Sequence, residues 1–352
     1  MIQMKIPLFY DEKDPKWILL CKLLKIFDDR KTYQILSNNG LIPLKRSVNI
    51  LKVVMVALFF DLDVSYVVSE FNRNKKLKSQ LGVDEIFTAE QISEFLSRYS
   101  EEYWCEFTIK LLNSLNFKNT RGIRIIIVDG TDIQIDLNWF GRRISKKSLE
   151  RKPYKWGYSS SKGYYIGLKL TLALDCRTMQ PLAMILHEGS PNDAKIFDEV
   201  MNELKRRRII RKGDRLFFDK GYFSKDNYQT AIVNYQSAVL IFPRGKNPLQ
   251  KVFDNISYPL ECFTGKDRKR DLYRALTQKS KEMMQKWKNY KGIRSKIEDF
   301  NKILKQALSL RRIHHYTKES INKKIYLNVL LAGLITSCGF RTKKKIQRLT
   351  EM

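Results

Sequence analysis

From about residue 15 to 116 the apolar positions recur every three or four residues, as in Trp17-Ile18-Leu19-Leu20 through Ile26 and in Val48 to Phe60, with few turn signals between them. Phe95, Leu96, Tyr99, Tyr103, Trp104, Phe107 and Leu111 form another such stripe. This half of the chain is expected to be all-helical. The period then changes from helical to short apolar runs. Ile125-Ile126-Ile127-Val128 is a β-branched run that stops on Asp129-Gly130-Thr131 and continues by alternation through Ile133, Ile135 and Leu137. Tyr165 to Leu174 and Pro181 to His187 read as a hairpin around Asp175 to Met179. A helix is expected over Ala194 to Arg208, a strand over Leu216 to Phe218, a helix over Asp226 to Tyr235 and a strand over Ala238 to Phe242. Strands interspersed with helices in this order predict a mixed α/β sheet flanked by helices.

Between these elements the pattern is less regular. Arg142 to Lys162 mixes basic, aromatic, Ser and Gly residues and is expected to be a loop. After Pro243 the periodicity lapses until about Lys279, as in an insertion, and a long helix is expected near Trp287 to Leu310. The strongly apolar Tyr326 to Phe340 contains Asn328, Thr336 and Ser337 and is short for a membrane span, so it predicts a buried helix. The expected domains are residues 1–117, helical, and 118–345, built on the sheet, with the insertion at about 243–285.

Charge narrows the partner. Lys and Arg number 66 against 37 Asp and Glu, a net charge of +29, which points to a polyanion. Nucleic acid is preferred over a membrane surface because the basic residues are interleaved with aromatics along the chain. The five cysteines form no Cys-x-x-Cys pair, and the N-terminal residues lack an apolar core of signal-peptide length, so a cytoplasmic protein is expected. In the basic loop Arg151, Lys155 and Trp156 are candidate DNA contacts; Trp156 either stacks on bases or tucks into the core.

Two carboxylates stand out. Asp219, in Leu216-Phe217-Phe218-Asp219-Lys220-Gly221-Tyr222, ends a buried apolar run where strands of α/β sheets meet ligands, and reads as a metal ligand. The competing reading is an Asp that only opens its own turn. Asp129 ends a similar run just before a Gly. On an α-helix Arg294, Glu298 and Lys305 would fall within about 40° of one another, beside an apolar face of Ile293, Ile297, Phe300, Leu304 and Leu308. Glu298 is then placed to reach the two aspartates, although an Arg294–Glu298 surface ion pair would have the same spacing.

Together, Asp129-Gly130-Thr131, Asp219-Lys220-Gly221-Tyr222 and Arg294-x3-Glu298-x6-Lys305 resemble the DDE transposases of bacterial and archaeal insertion sequences. Ninety residues separate Asp129 from Asp219 and 79 separate Asp219 from Glu298. The resemblance covers roughly residues 120 to 340 and implies a ribonuclease-H-like catalytic domain behind a DNA-end-binding helical domain. Three residues separate Tyr290 from Arg294, where the group's signature leaves two.

The resemblance implies Asp129, Asp219 and Glu298 as catalytic metal ligands for two Mg2+ ions, with Mn2+ as a substitute, and Arg294 and Lys305 as phosphate-binding residues. Tyr290 is a further candidate DNA contact. The implied partners are transposon terminal repeats and target DNA, with a homodimer in the synaptic complex, in a nucleoid-associated protein. Asp132 and His187 are secondary candidates; Asp193 is another, or else caps the helix expected at Ala194. A non-catalytic DNA-binding derivative and a structure-specific nuclease on the same fold are the alternatives.

Overall fold

The computed structural model describes residues 13–28, 30–38, 44–116, 123–136, 138–139, 142–143, 155–159, 163–211, 213–243, 268–313 and 317–351. The chain forms two compact units, one of residues 1–115, 302–310 and 319–352, the other of residues 116–301 and 311–318.

The first unit is helical: α1 (Pro15–Leu24), α2 (Arg30–Asn38), α3 (Leu44–Phe60), α4 (Val64–Arg73), α5 (Lys75–Leu81), α6 (Ala89–Arg98) and α7 (Glu101–Asn116), with α12 (Lys318–Ser337) and α13 (Lys343–Glu351) returning to it from the end of the chain. The apolar stretch expected as a buried helix is α12, which buries Ile325 and Tyr326 through Thr336. The Thr108 hydroxyl of α7 donates to the Tyr326 carbonyl at 3.2 Å, and Asn322 bonds Glu101. Two helices far apart in sequence thus share one core. None of the described helices is long and apolar enough to cross a membrane.

The second unit is organised on β1 (Ile125–Ile135). β5 (Gly163–Asp175) pairs antiparallel with it on one side, and β7 (Arg215–Phe218) pairs parallel on the other, followed by β8 (Ala238–Ile241). The far edge of β5 is shared by β4 (Lys155–Ser159) and β6 (Pro181–Glu188). β9 (Arg312–Ile313) lies against the end of β1, and β2 (Asn138–Trp139) and β3 (Arg142–Arg143) form a separate ribbon. With α8 (Phe197–Arg206), α9 (Lys225–Val233), α10 (Arg268–Gln285) and α11 (Lys291–Lys302), this is a ribonuclease-H-like mixed sheet flanked by helices.

Apolar runs on adjacent strands explain the core. Phe217, Phe218, Val239 and Leu240 pack with Phe197 and Met201 of α8, Tyr228 and Ile232 of α9 and Met283 and Met284 of α10. The outer strand β8 is closed at Val239, whose N–H donates to the Ser280 hydroxyl of α10 at 3.1 Å. That bond uses a donor that an open sheet edge would expose.

Three local expectations differ from the fold. Lys155–Ser159 is a strand and not a loop, because Gly157 occupies the one inward position and hides the alternation. α10 begins at Arg268, well before Lys279; its basic surface leaves few apolar positions, with Tyr273, Leu276, Met283 and Met284 buried. The helix expected from Trp287 to Leu310 is a 3-10 turn at Trp287–Tyr290, then α11, then a π-helical turn at Ile303–Ala307.

Candidate active site

The register of β1 and β7 builds the site. Val128 pairs with Phe218, so Asp129 and Asp219 follow at the same level of two parallel strands, about 5 Å apart at the backbone. β7 ends there, while β1 runs on and, among the described residues, regains a strand partner on that edge only where Gln134 meets Arg312. Just beyond Asp129 that edge of β1 has no strand partner among the described residues.

Asp219 precedes the 3-10 turn Lys220–Tyr222 and makes no side-chain bond to it. Asp219 thus opens its turn through its backbone carbonyl, which accepts the Tyr222 N–H at 3.1 Å, and its side chain does not cap that turn. Its carboxylate faces Arg294 of α11, whose Nη2 lies 3.1 Å from Oδ1, and Arg294 Nε lies 3.5 Å from Glu298 Oε1. Neither Asp219 Oδ1 nor Arg294 Nε has an aligned hydrogen bond. Arg294 thus spans Asp219 and Glu298 in a loose arrangement.

Asp129 Oδ1 accepts the Gly130 N–H at 2.8 Å. Burial, and next the neighbouring Asp219 carboxylate, push the Asp129 carboxyl up to about 7, against the pull of the Gly130 N–H and Arg294. Asp193 adds to the push.

Asp193 does not cap a helix. Asn192 accepts the Ala194 N–H instead, and α8 starts only at Phe197. The Asp193 carboxylate lies 2.6 Å from Lys169 Nζ, which also donates to the Pro191 carbonyl at 2.9 Å. Both glycines that follow the aspartates lie against this pair. A Cβ at Gly130 would come within 2.6 Å of Lys169 Cε, and one at Gly221 would strike the Asp193 carboxylate. The buried Tyr222 hydroxyl sits beside Asp193 and Thr171, and burial raises its pKa well above the usual phenol range. Lys169 was not among the sequence candidates. Its signal was a lysine inside the apolar run Gly167-Leu168-Lys169-Leu170. Gly221→Ala is expected to cost about 1–3 kcal/mol by overpacking, read by urea denaturation; unchanged stability would contradict this packing.

The other candidates fall elsewhere. Asp132 is the register partner of Lys169 on β1. His187 Nε2 on β6 lies 2.9 Å from Glu199. The Tyr290 ring packs on Phe217 with centroids 5.3 Å apart, so it serves the core, and the extra residue before Arg294 falls where the 3-10 turn passes into α11. Lys305 lies in the π turn and in the first unit, so the uniform α-helical step behind its expected stripe with Arg294 and Glu298 stops at Lys302. Lys155 and Trp156 are exposed on β4, and Arg151 lies outside the described residues.

Around Asp129 stand the carboxyls of Asp219 and Asp193 and the Arg294 guanidinium, with Lys169 on Asp193 and Glu298 joined to the set only through Arg294. A chain of net charge +29 keeps a local excess of carboxylates here. Hard oxygen donors, one without a hydrogen bond and one pushed toward protonation, fit a divalent cation. Among the described residues no three His, Cys, Asp or Glu side chains already stand together as a metal-holding group. Arg294 is inserted between Asp219 and Glu298.

No curated protein matches the chain. The family model described as "Transposase DDE domain" matches residues 120–334. That span covers more than half of the chain and contains Asp129 on β1, Asp219 just after β7 and Glu298 on α11; the chain therefore belongs to the transposase DDE domain family, as a transposase of the insertion-sequence type.

Proposed function

We propose that the protein cuts one DNA strand at each end of its element and joins the freed 3′ ends to target DNA, with Asp129, Asp219 and Glu298 as ligands of two divalent cations, Mg2+ or Mn2+ in its place. The observation that carries this reading is the pair of aspartates at adjacent strand ends, one of them pushed up to about 7 by burial and by the other. Bound there, divalent cations supply activation of the attacking oxygen and charge neutralisation at the leaving one.

In the first step water attacks phosphorus, the P–O3′ bond breaks and the 3′ oxygen takes up a proton. In the second, that 3′-hydroxyl attacks a target phosphodiester and displaces another 3′ oxygen. Asp129 and Asp219, both partly buried, are held at fixed height by the sheet. Glu298 is half-exposed and completes the set when the Arg294 guanidinium moves from the carboxylates to a DNA phosphate, which it can hold by two parallel N–H bonds. Lys169 and Asp193, wedged against Gly130 and Gly221, act as positioning residues for the two aspartate turns. The helical first unit binds the terminal repeats, and the active complex is a homodimer holding two ends.

The test is cleavage of duplex DNA carrying the element's own flanking ends, with Mg2+ or with EDTA. Mg2+-dependent nicks at the element boundary are expected. Binding without cleavage would make the chain a non-catalytic derivative, and cleavage indifferent to the terminal repeats would make it a structure-specific nuclease.

A further inference from the structure

We propose that the β4–β5 hairpin is a stacking platform for unpaired DNA bases. The proposal rests on the reading of the chain as a DNA-acting enzyme and names a part of the DNA that the carboxylate site does not address. Among the residues whose side chains are described, the exposed aromatics are Trp156, Tyr158 and Tyr164, at 57%, 58% and 78% exposure. All three lie on this one hairpin. Tyr158 pairs with Tyr164 across the ribbon and Trp156 with Ile166, so strand alternation puts the three rings on one face. The rings of Tyr158 and Tyr164 meet at 5.3 Å and 63°. On the other face Gly157 and Tyr165 are buried, with Gly157 close to Ser190. The rings are thus presented outward by a strand pair fixed to the sheet.

Charge and distance select the occupant. Lys155, on the other face of the same strand, and Lys318 neutralise Glu188 at 3.6 and 2.8 Å, and the chain carries a net charge of +29. A polyanion fits better than an apolar protein face. Paired bases keep their faces stacked inside the duplex, so exposed rings find base faces only on a single strand. Tyr164 lies eight residues along β5 from Leu172, the partner of Asp129, a distance of about 27 Å at roughly 3.4 Å per residue. A strand with a phosphate at Asp129 spans that distance in about eight nucleotides at the duplex spacing of about 3.4 Å each, and an extended unpaired strand does so in fewer.

The experiment uses the full chain in EDTA, so that cleavage plays no part. Fluorescence anisotropy compares a labelled oligodeoxythymidine, an abasic strand of equal length and a duplex. The wild-type protein is expected to bind the thymidine strand more tightly than the abasic one. The double variant Trp156→Ala/Tyr164→Ala should lose about 10- to 100-fold on the thymidine strand, in line with alanine substitution of stacking rings. Duplex binding should change less than about twofold, and Trp156→Phe should retain most of the affinity. Equal losses on all three ligands, or no loss on the thymidine strand, would overturn the proposal. So would vesicles of anionic lipid competing as well as DNA, or a shift from dimer to monomer in the variant on sedimentation. The catalytic reading fails separately: stacking without Mg2+-dependent cleavage sinks that reading alone, and cleavage with unaltered strand binding in the variant sinks this one alone.

Discussion

Asp219→Asn and Glu298→Gln are each expected to lower Mg2+-dependent cleavage of end-bearing DNA by about 10³-fold or more while leaving DNA binding intact. A metal ion contributes several kcal/mol of transition-state charge stabilisation, and every 1.36 kcal/mol is a factor of ten in rate. Both substitutions keep the shape of the side chain and remove one negative charge. Backbone phosphates therefore meet no new repulsion, and gel-shift affinity should stay within a few-fold. Asp219→Asn also takes a charge away from Arg294, whose nearest carboxylate oxygen it is at 3.1 Å. Release of Arg294 toward phosphate would slightly favour DNA binding. Cleavage by both variants at the wild-type rate would remove the carboxylates from the chemistry.

The second large effect is on stability, and its sign follows from Asp129. In the folded, metal-free protein its carboxyl is pushed up to about 7, against about 3.9 in an unfolded chain. Between about pH 4 and pH 7 the folded chain therefore keeps a proton that the unfolded chain has released. Stability falls as pH rises through that window, in proportion to the difference in bound protons. The full shift corresponds to about 2–4 kcal/mol at pH 8, at 1.36 kcal/mol per unit. Asp129→Asn removes this penalty. In EDTA the variant should be more stable than wild type by that amount at pH 8 and equal to it near pH 4, as read by urea denaturation. Mg2+ should stabilise wild type at pH 8 and not the variant. Equal stabilities at both pH values would contradict the burial and coupling assigned to Asp129.

These effects belong to residues that the sequence exposed to different degrees. Asp129 and Asp219 were legible because each ends an apolar run and lies near a Gly, a local pattern. That they stand side by side depends on the pairing of Val128 with Phe218, a register between strands ninety residues apart that no local pattern encodes. Helical spacing alone suits Glu298 as the partner of an Arg294 ion pair, which the fold contains at 3.5 Å, and it is the resemblance that singles Glu298 out as a candidate. The switch from α to π geometry after Lys302 was not legible, since the same residue types suit both helices.

Asp193 looked like a helix cap because Asp is a good N-cap residue. Its partner Lys169 lies 24 residues earlier on another strand, and only the fold brings them within 2.6 Å. The lysine inside an apolar strand run was nonetheless a clue, because a buried ammonium needs a carboxylate. β4 falls in the stretch whose Ser and Gly content predicts a loop, whereas most of β5 is expected as a strand, and the exposed face emerges only once the two are paired. The return of α12 to the first unit was likewise hidden, since apolar content shows that a helix is buried but not which core buries it.

The central claim, that Asp129, Asp219 and Glu298 meet at one divalent-cation site, is tested most directly by local cleavage of the protein itself. Fe2+ seated at the site in the presence of ascorbate and peroxide generates hydroxyl radicals that cut the nearest backbone. In the protein–DNA complex, fragments ending near residues 129, 219 and 298 together, all suppressed by excess Mg2+, are the predicted result. Cuts near 129 and 219 without any near 298, or a pattern indifferent to Mg2+, would contradict it.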